Sequence, residues 1–395
     1  MTRARSRRAL TALQYALCLA AVAYLVQKVP WYSHVRLEGP NGARVRLLEQ
    51  RGDQLLIERA GRPEFVPAAL AQHATVEGRQ VPQIEIGVRD VVRRLKASWA
   101  LYALLLFAPV LAIQAYRLVL MVAVQRVRLP LWSAAKLNLA GNFFNFALPG
   151  TTGGDLIKAY YLSRYTHLKT EVITTVFLDR VIGLVGLVGV ALGAMAVTGD
   201  LRISPRVLAI SAVAVVGAGG VTAALFSRRF RRRFRLAEWV GCLPGGAQLL
   251  RVGRAALALR ESKGRVAAAL ALTFALQGIG ALSAAAMAWA IGMRGPGGAV
   301  AQIWYFTAYV SAGFLVAALP LTPQGIGVME AAYVHFFTQG GWNSASQAVV
   351  FAFAVRLIQL VWALPGVLVP LFGAHLPPRE ELEALARDGD AECRR

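Results

Sequence analysis

Cysteine, histidine and acidic side chains are all scarce in this chain of 395 residues, and each scarcity closes a class of function. The three cysteines, Cys18, Cys242 and Cys393, are too scattered for a zinc site or a disulfide framework. The five histidines, His34, His73, His167, His335 and His375, show no metal-ligand spacing, so neither a metal nor another cofactor is expected. Asp and Glu number 21 and form no paired acid/base or metal-binding acidic motif, so the chain is not expected to be an enzyme. Only 16% of residues are charged, against the roughly 25% usual in soluble domains.

Apolar sequence takes up the difference. The chain is 56% hydrophobic with a mean hydropathy of +0.50. Runs at 9–26, 97–124, 172–197, 207–226, 266–293, 300–319 and 346–372 approach or exceed the ~20 residues that cross a bilayer as helix. The expected class is an all-α integral membrane protein, a polytopic bundle of about 7–8 spanning segments. Basic residues precede the first run, as in a signal peptide. That run is longer than a signal core, however, and Gln27-Lys28-Val29-Pro30 is a poor cleavage site, which favours a retained first helix over 1–29.

The net charge of +22 raises nucleic acid as a partner, but the cations sit beside apolar runs in the manner of positive-inside bias. With a cytoplasmic N-terminus, twenty-five Lys and Arg fall on inside segments and three in short outside loops; twelve more lie in the long stretch 28–96. This predicts a multi-pass protein of the inner (cytoplasmic) membrane with both termini inside. The block Arg228-Arg-Phe-Arg-Arg-Arg-Phe-Arg235 is expected to lie on anionic headgroups rather than on RNA, followed by an amphipathic stretch at 249–260. The tail, 376–395, is charged and cytoplasmic.

Residues 30–96 read differently, as a small water-soluble, β-rich insert between the first two helices. The segments 43–49 and 54–58 flank Arg51-Gly-Asp53 as a hairpin flanks its turn, and Gly61-Arg-Pro63 and Val81-Pro82 mark further short strands. The Arg-Gly-Asp tripeptide is read as that turn, not as an adhesion motif. A piece this small is expected to pack on the membrane domain, 97–375, or on an extracytoplasmic or biosynthetic protein partner.

Two stretches break the apolar pattern, Leu148-Pro-Gly-Thr-Thr-Gly-Gly-Asp155 and Pro320-Leu-Thr-Pro-Gln-Gly-Ile-Gly-Val-Met-Glu330. Broken backbone in hydrocarbon must be satisfied by protein or water, and paired breaks in two halves of a chain point to discontinuous helices around a cargo site. Basic flanks place the first as a hairpin entering from the cytoplasmic side; Arg294 and the uncharged 338–343 place the second from the opposite side. Intramembrane charge is a functional candidate by default, which selects Arg117, Asp155, Lys158, Asp179, Arg180, Glu330 and Arg356.

Several of these carry two readings. Asp155 and Lys158 are either a capping carboxylate with its ion-pairing lysine, or part of a glycine-rich bend at Gly153-Gly154 that offers N–H groups and a cation to a phosphate. Adjacent Asp179 and Arg180 diverge by about 100° on a helix and should pair with other helices. Glu330 and Arg356 match in depth. Asn138, Asn142 and Asn145 put three amides on one helix face, either lining a headgroup cavity or joining helices. Arg180 and Arg356 are the best anion ligands, since guanidinium grips phosphate with two bonds, and Asp155 and Glu330 are expected to pair with these arginines when the site is empty.

The ordered set Asn142-Phe-Phe-Asn-Phe-Ala-Leu-Pro-Gly-Thr-Thr-Gly-Gly-Asp155, Leu178-Asp-Arg180, Pro323-Gln-Gly-Ile-Gly-Val-Met-Glu330 and Arg356 resembles the flippase-like family that includes the transmembrane region of lysylphosphatidylglycerol synthase. The resemblance covers about 97–372 and implies a helical bundle with re-entrant segments that moves lipids across the cytoplasmic membrane. It also implies that Pro149, Gly153, Gly154, Asp155, Arg180, Gly325, Gly327, Glu330 and Arg356 belong to the site; Asn142, Asn145, Lys158 and Asp179 join them from the residue reading. Expected partners are membrane lipids with anionic headgroups, with room for a homo-oligomer, and no nucleic acid. The sequence lacks the family's soluble aminoacyl-transferase domain, so lipid lysylation is not expected; a membrane scaffold for a lipid- or glycan-synthesis enzyme, or a lipid-modifying enzyme, are the rival readings.

Overall fold

A computed structural model describes residues 29–37, 44–125 and 127–147 with small gaps, then 153–163, 169–198, 262–318 and 325–371, plus Thr322 and isolated positions before 29. The first helix, the run at 207–226, the arginine block, the amphipathic stretch, the tail and Pro149 lie almost wholly outside the described residues.

The N-terminal part is a five-stranded antiparallel sheet. It is built from β1 (His34–Arg36), β2 (Arg44–Arg51), β3 (Gln54–Arg59), β4 (Arg62–Pro67) and the short β7 (Ile84–Glu85), in the order β4-β3-β2-β1-β7. A separate ribbon pairs β5 (His73–Val76) with β6 (Arg79–Pro82). The Arg51-Gly-Asp53 stretch is the β2–β3 turn, with Gly52 at φ 57° where side chains are disfavoured. Pro63 and Pro67 fall on edge strand β4, the position where a missing N–H costs no ladder bond. Alternation buries Leu55 and Ile57 of β3 with Val35, Leu47 and Val66 as a core of its own.

This sheet is tied to the helices at one end. Val88 N donates to Pro30 O, Ser346 Oγ also donates to Pro30 O, and Gly87 N donates to Ser33 Oγ. Val29 packs on Val349.

The helices are α1 (Val88–Arg93), α2 (Ala97–Val124), α3 (Leu131–Ala147), α4 (Gly153–Ser163), α5 (Lys169–Thr198), α6 (Lys263–Ile291), α7 (Ala299–Ala318), α8 (Val328–Thr338) and α9 (Ala345–Ala363). A 3-10 turn, Leu364–Val367, leads from α9 into α10 (Leu368–Leu371). Among the described residues, four helices are long and apolar enough to cross a membrane: α2, α6, α7 and the continuous Ala345–Pro370. A shorter apolar helical segment, Ile182–Val197, lies within α5. At 1.5 Å per residue, the 11 residues of α4 and of α8 reach only about 16 Å, too short to span. The second broken element is therefore lopsided, a span-length α7 followed by a short α8.

Lys96 N donates to Ala290 O and the Arg265 guanidinium to Ala123 O, so α2 and α6 run antiparallel. Pro109 interrupts α2. The turn preceding it is drawn into tertiary bonds, Ser283 Oγ donating to Ala103 O and Trp362 Nε1 to Leu104 O. Tyr305, Phe306, Tyr309, Tyr333, Phe337 and Phe351 fuse α7, α8 and α9 into one aromatic core.

Small residues set the closest approaches. A Cβ on Gly366 would fall on the Leu139 carbonyl of α3, and one on Gly154 on the Gly141 carbonyl. Gly366→Leu should push the 364–371 segment off α3, since overpacking of this kind costs about 1–3 kcal/mol or more. The expected outcome is a lower melting temperature in detergent, by at least several degrees, measured by fluorescence-detected gel filtration after heating.

Candidate functional site

Each broken element ends in a short helix that begins on glycine and presents a carboxylate in its first turn. In α4 the order is Gly153, Gly154, Asp155; at α8 it is Gly327, then Glu330. Acidic groups there face unsatisfied N–H groups and the positive end of the helix dipole. Glu330 Oε2 accepts from Gly327 N at 2.7 Å, and Gly327 holds φ 84°, a conformation that suits glycine. In α4 the corresponding cap comes from its neighbour, Asn145 Oδ1 of α3 accepting from Gly154 N at 3.0 Å. Thus Asn145 positions the α4 start, while Asn142 Nδ2 donates to Gln114 Oε1 on α2 at 3.1 Å. The amide face joins helices in both cases, and Asn138 Nδ2 stays buried without a partner among the described residues.

The carboxylates then meet arginines from the helix that follows. Arg356 of α9 directs Nε (3.0 Å) and Nη2 (2.9 Å) at Glu330 Oε1, with Glu330 only 1% exposed. Arg180 Nη1 of α5 lies 2.8 Å from Asp155 Oδ2. Twenty-six residues separate Glu330 from Arg356, and Arg180 stands at nearly the same remove from Asp155. The two half-sites are built on one plan. They differ in depth: the Arg180 side chain is 43% exposed against 14% for Arg356.

Asp179 turns away from Arg180, as helical geometry requires, and accepts from Arg117 Nη2 of α2 at 2.9 Å; Arg117 Nη1 donates to Thr273 Oγ1 of α6 at 2.9 Å. Arg117 thereby locks α2, α5 and α6 together. It stood among the intramembrane charges of the sequence but not among the expected site residues. Its placement beside Asp179 depends on a contact across 62 positions that no local pattern encodes.

Lys158 is the exception. Asp155 pairs with Arg180 rather than with the lysine one turn on, and Lys158 makes no ion pair among the described residues. Its stem lies across Gly141 of α3, where any side chain would collide with it. The amine sits within electrostatic reach of Asp155, Asp179, Arg117 and Arg180. Among the described residues this cluster holds two ion pairs and one further cation. The α8–α9 site, by contrast, holds one ion pair and no further cation among the described residues. Gly325 (φ 67°) lies against Ala317 at the end of α7, so the glycines of the second break serve backbone conformation and close packing. No group of three or more His, Cys, Asp or Glu converges among the described residues.

These features describe a helical membrane protein whose broken helices are closed by ion pairs inside the bundle. The family model for the lysylphosphatidylglycerol synthase TM region matches residues 85–366, more than half of the chain, and the chain belongs to that family. The match takes in both half-sites, α1 and the last strand of the sheet. No curated protein and no solved structure matches the chain.

Removing one partner of a buried pair strands the other, at a cost of about 3–5 kcal/mol, whereas replacing both is often neutral. Asp179→Asn and Arg117→Met should each destabilise strongly, and the double variant should be more stable than either single one. Thermal unfolding of the four proteins in one detergent measures this coupling.

Proposed function

We propose that this protein is a lipid translocator of the cytoplasmic membrane, carrying an anionic phospholipid, glycolipid or polyisoprenoid-linked lipid between leaflets without covalent chemistry. The observation that carries the reading is Lys158, which makes no ion pair among the described residues and lies beside two arginine–carboxylate pairs, an arrangement suited to receive an anion. In this reading α3–α4 and α7–α8 are hairpins entering from opposite faces within a bundle of about 7–8 spans, and both termini are cytoplasmic.

A lipid phosphate reaches Lys158 and the half-exposed Arg180 first, and Arg180 leaves Asp155 for it. Arg356, held deeper, exchanges Glu330 for the phosphate later in the passage. Each exchange replaces one anion by another at the guanidinium, so the arginine keeps a counterion in low dielectric, while Glu330 keeps the Gly327 amide. Acyl chains stay in the bilayer throughout. Asn142, Asn145, Gly153, Gly154, Gly325 and Gly327 hold the frame, with Pro149 in the first break.

A second reading rests on the sheet. Phe65 of β4 lies beside Leu56 of β3 on the face turned away from the buried Val66, and exposed Leu48 lies nearby on β2. This apolar patch suits an extracytoplasmic or biosynthetic protein partner, which would make the chain a scaffold.

The test is transfer of a fluorescent short-chain anionic phospholipid in reconstituted liposomes, read by dithionite quenching. Wild type should transfer lipid, Arg180→Ala/Arg356→Ala should lose at least tenfold, and Lys158→Ala should slow entry. Equal transfer by wild type and the double variant would remove the mechanism. Loss of a bound protein with transfer intact, on deleting the sheet, would favour the scaffold.

A further inference from the structure

A partly open cavity of about 310 Å³ lies between α2, α5, α6, α7 and α9. Small residues of α6, Gly280, Ala281 and Ala284, make the room. Its lining is mostly apolar, but Gln114, Gln277 and Gln359 reach it from three different helices, each near the middle of its span. A side-chain amide at mid-bilayer depth has neither water nor headgroup to serve it, so three at one void ask for a common partner. Gln277 and Gln359 make no hydrogen bond among the described residues, and Gln114 spends only its Oε1, on Asn142. Ser311 of α7 lines the same wall.

No charged side chain lines the cavity. A bare phosphate there would be desolvated without a counterion, which is strongly unfavourable. Carboxamides instead offer a donor and an acceptor side by side, the complement of a hydroxyl, which both donates and accepts. Hydrogen bonds link the lining of the void to the helices that carry both half-sites: Gln114 accepts from Asn142 of α3, and the Val310 carbonyl accepts from Tyr333 of α8, one turn from Glu330. Val355, beside Arg356, also lines it.

We propose that this cavity binds the uncharged, hydroxyl-bearing part of a lipid headgroup, a glycosyl or polyol group, through Gln114, Gln277 and Gln359. The inference deepens the function proposed above and rests on it for the lipid that carries the group. It divides the cargo: arginines and Lys158 for phosphate, carboxamides for what lies beyond the phosphate. The volume fits this, since at about 30 Å³ per water it holds about ten waters, or one hexose-sized group in their place.

The experiment uses the full chain in nanodiscs with two photoreactive probes, an alkyl glucoside bearing a diazirine on the sugar and an alkyl phosphate with the same chain. Cross-linked peptides are mapped by mass spectrometry. The glucoside should label 107–114 and 276–284, and Gln277→Leu/Gln359→Leu should lower that labelling at least tenfold while phosphate labelling elsewhere is unchanged. Ala281→Trp, which fills the void and keeps the amides, should abolish glucoside labelling as well, and Gln277→Asn/Gln359→Asn should retain part of it. Glucoside labelling that survives the leucine pair, equal labelling of the void by both probes, or a void that takes water alone and no probe would each overturn the proposal. Amide-dependent labelling in a protein that transfers no lipid in liposomes would leave the cavity assignment standing and remove the translocator reading.

Discussion

An ionised carboxylate that is 1% exposed inside an apolar bundle must have every oxygen occupied, and Glu330 meets that condition with two different groups. One oxygen accepts the Gly327 amide at the start of α8; the other takes two nitrogens of Arg356. The first contact closes a helix that begins where the backbone has been broken, and the second neutralises a largely buried arginine. Neither the short helix nor the buried cation is tolerable without the other. The Asp155–Arg180 pair applies the same solution at the other break, with Asn145 taking over the capping part.

That shared construction explains why the helices are distributed as they are. Span-length helices α2, α6, α7 and α9 form the body; α8 is held on it by the Glu330–Arg356 pair and by Gly313 of α7 under the Tyr333 ring, and α4 is held on α3 and α5 by the Gly154–Gly141 contact and the Asp155–Arg180 pair. Without a hydrophobic drive between helices in lipid, close backbone approach and polar bonds have to supply the cohesion. The bundle has both, and the cavity lies where the small residues of α6 leave the packing incomplete.

Much of this was readable from residue types alone. Among the described residues the long apolar runs are helices, short helices follow the two interruptions, and a glycine between alternating strands makes the β2–β3 turn. Glu330 and Arg356 could be matched in depth because each sits at a countable distance into its segment. Asp155 had two candidate partners in the sequence, Lys158 beside it on the helix and Arg180 on another; the ion pair forms with Arg180, and packing decides between the local and the distant cation. Arg117 escaped the site for the same reason. The three glutamines carried a signal, as polar residues in apolar runs, but their convergence on one void is a property of the folded bundle.

The double duty of Glu330 has a mechanical side. Whatever attracts Arg356 away leaves the carboxylate leaning on one backbone amide, at the residue where α8 begins. Occupancy of a cation on α9 is thereby felt as a change of tension at the root of a neighbouring helix, with no intervening messenger. The contact that an anion would exchange and the contact that starts the helix meet on one carboxylate.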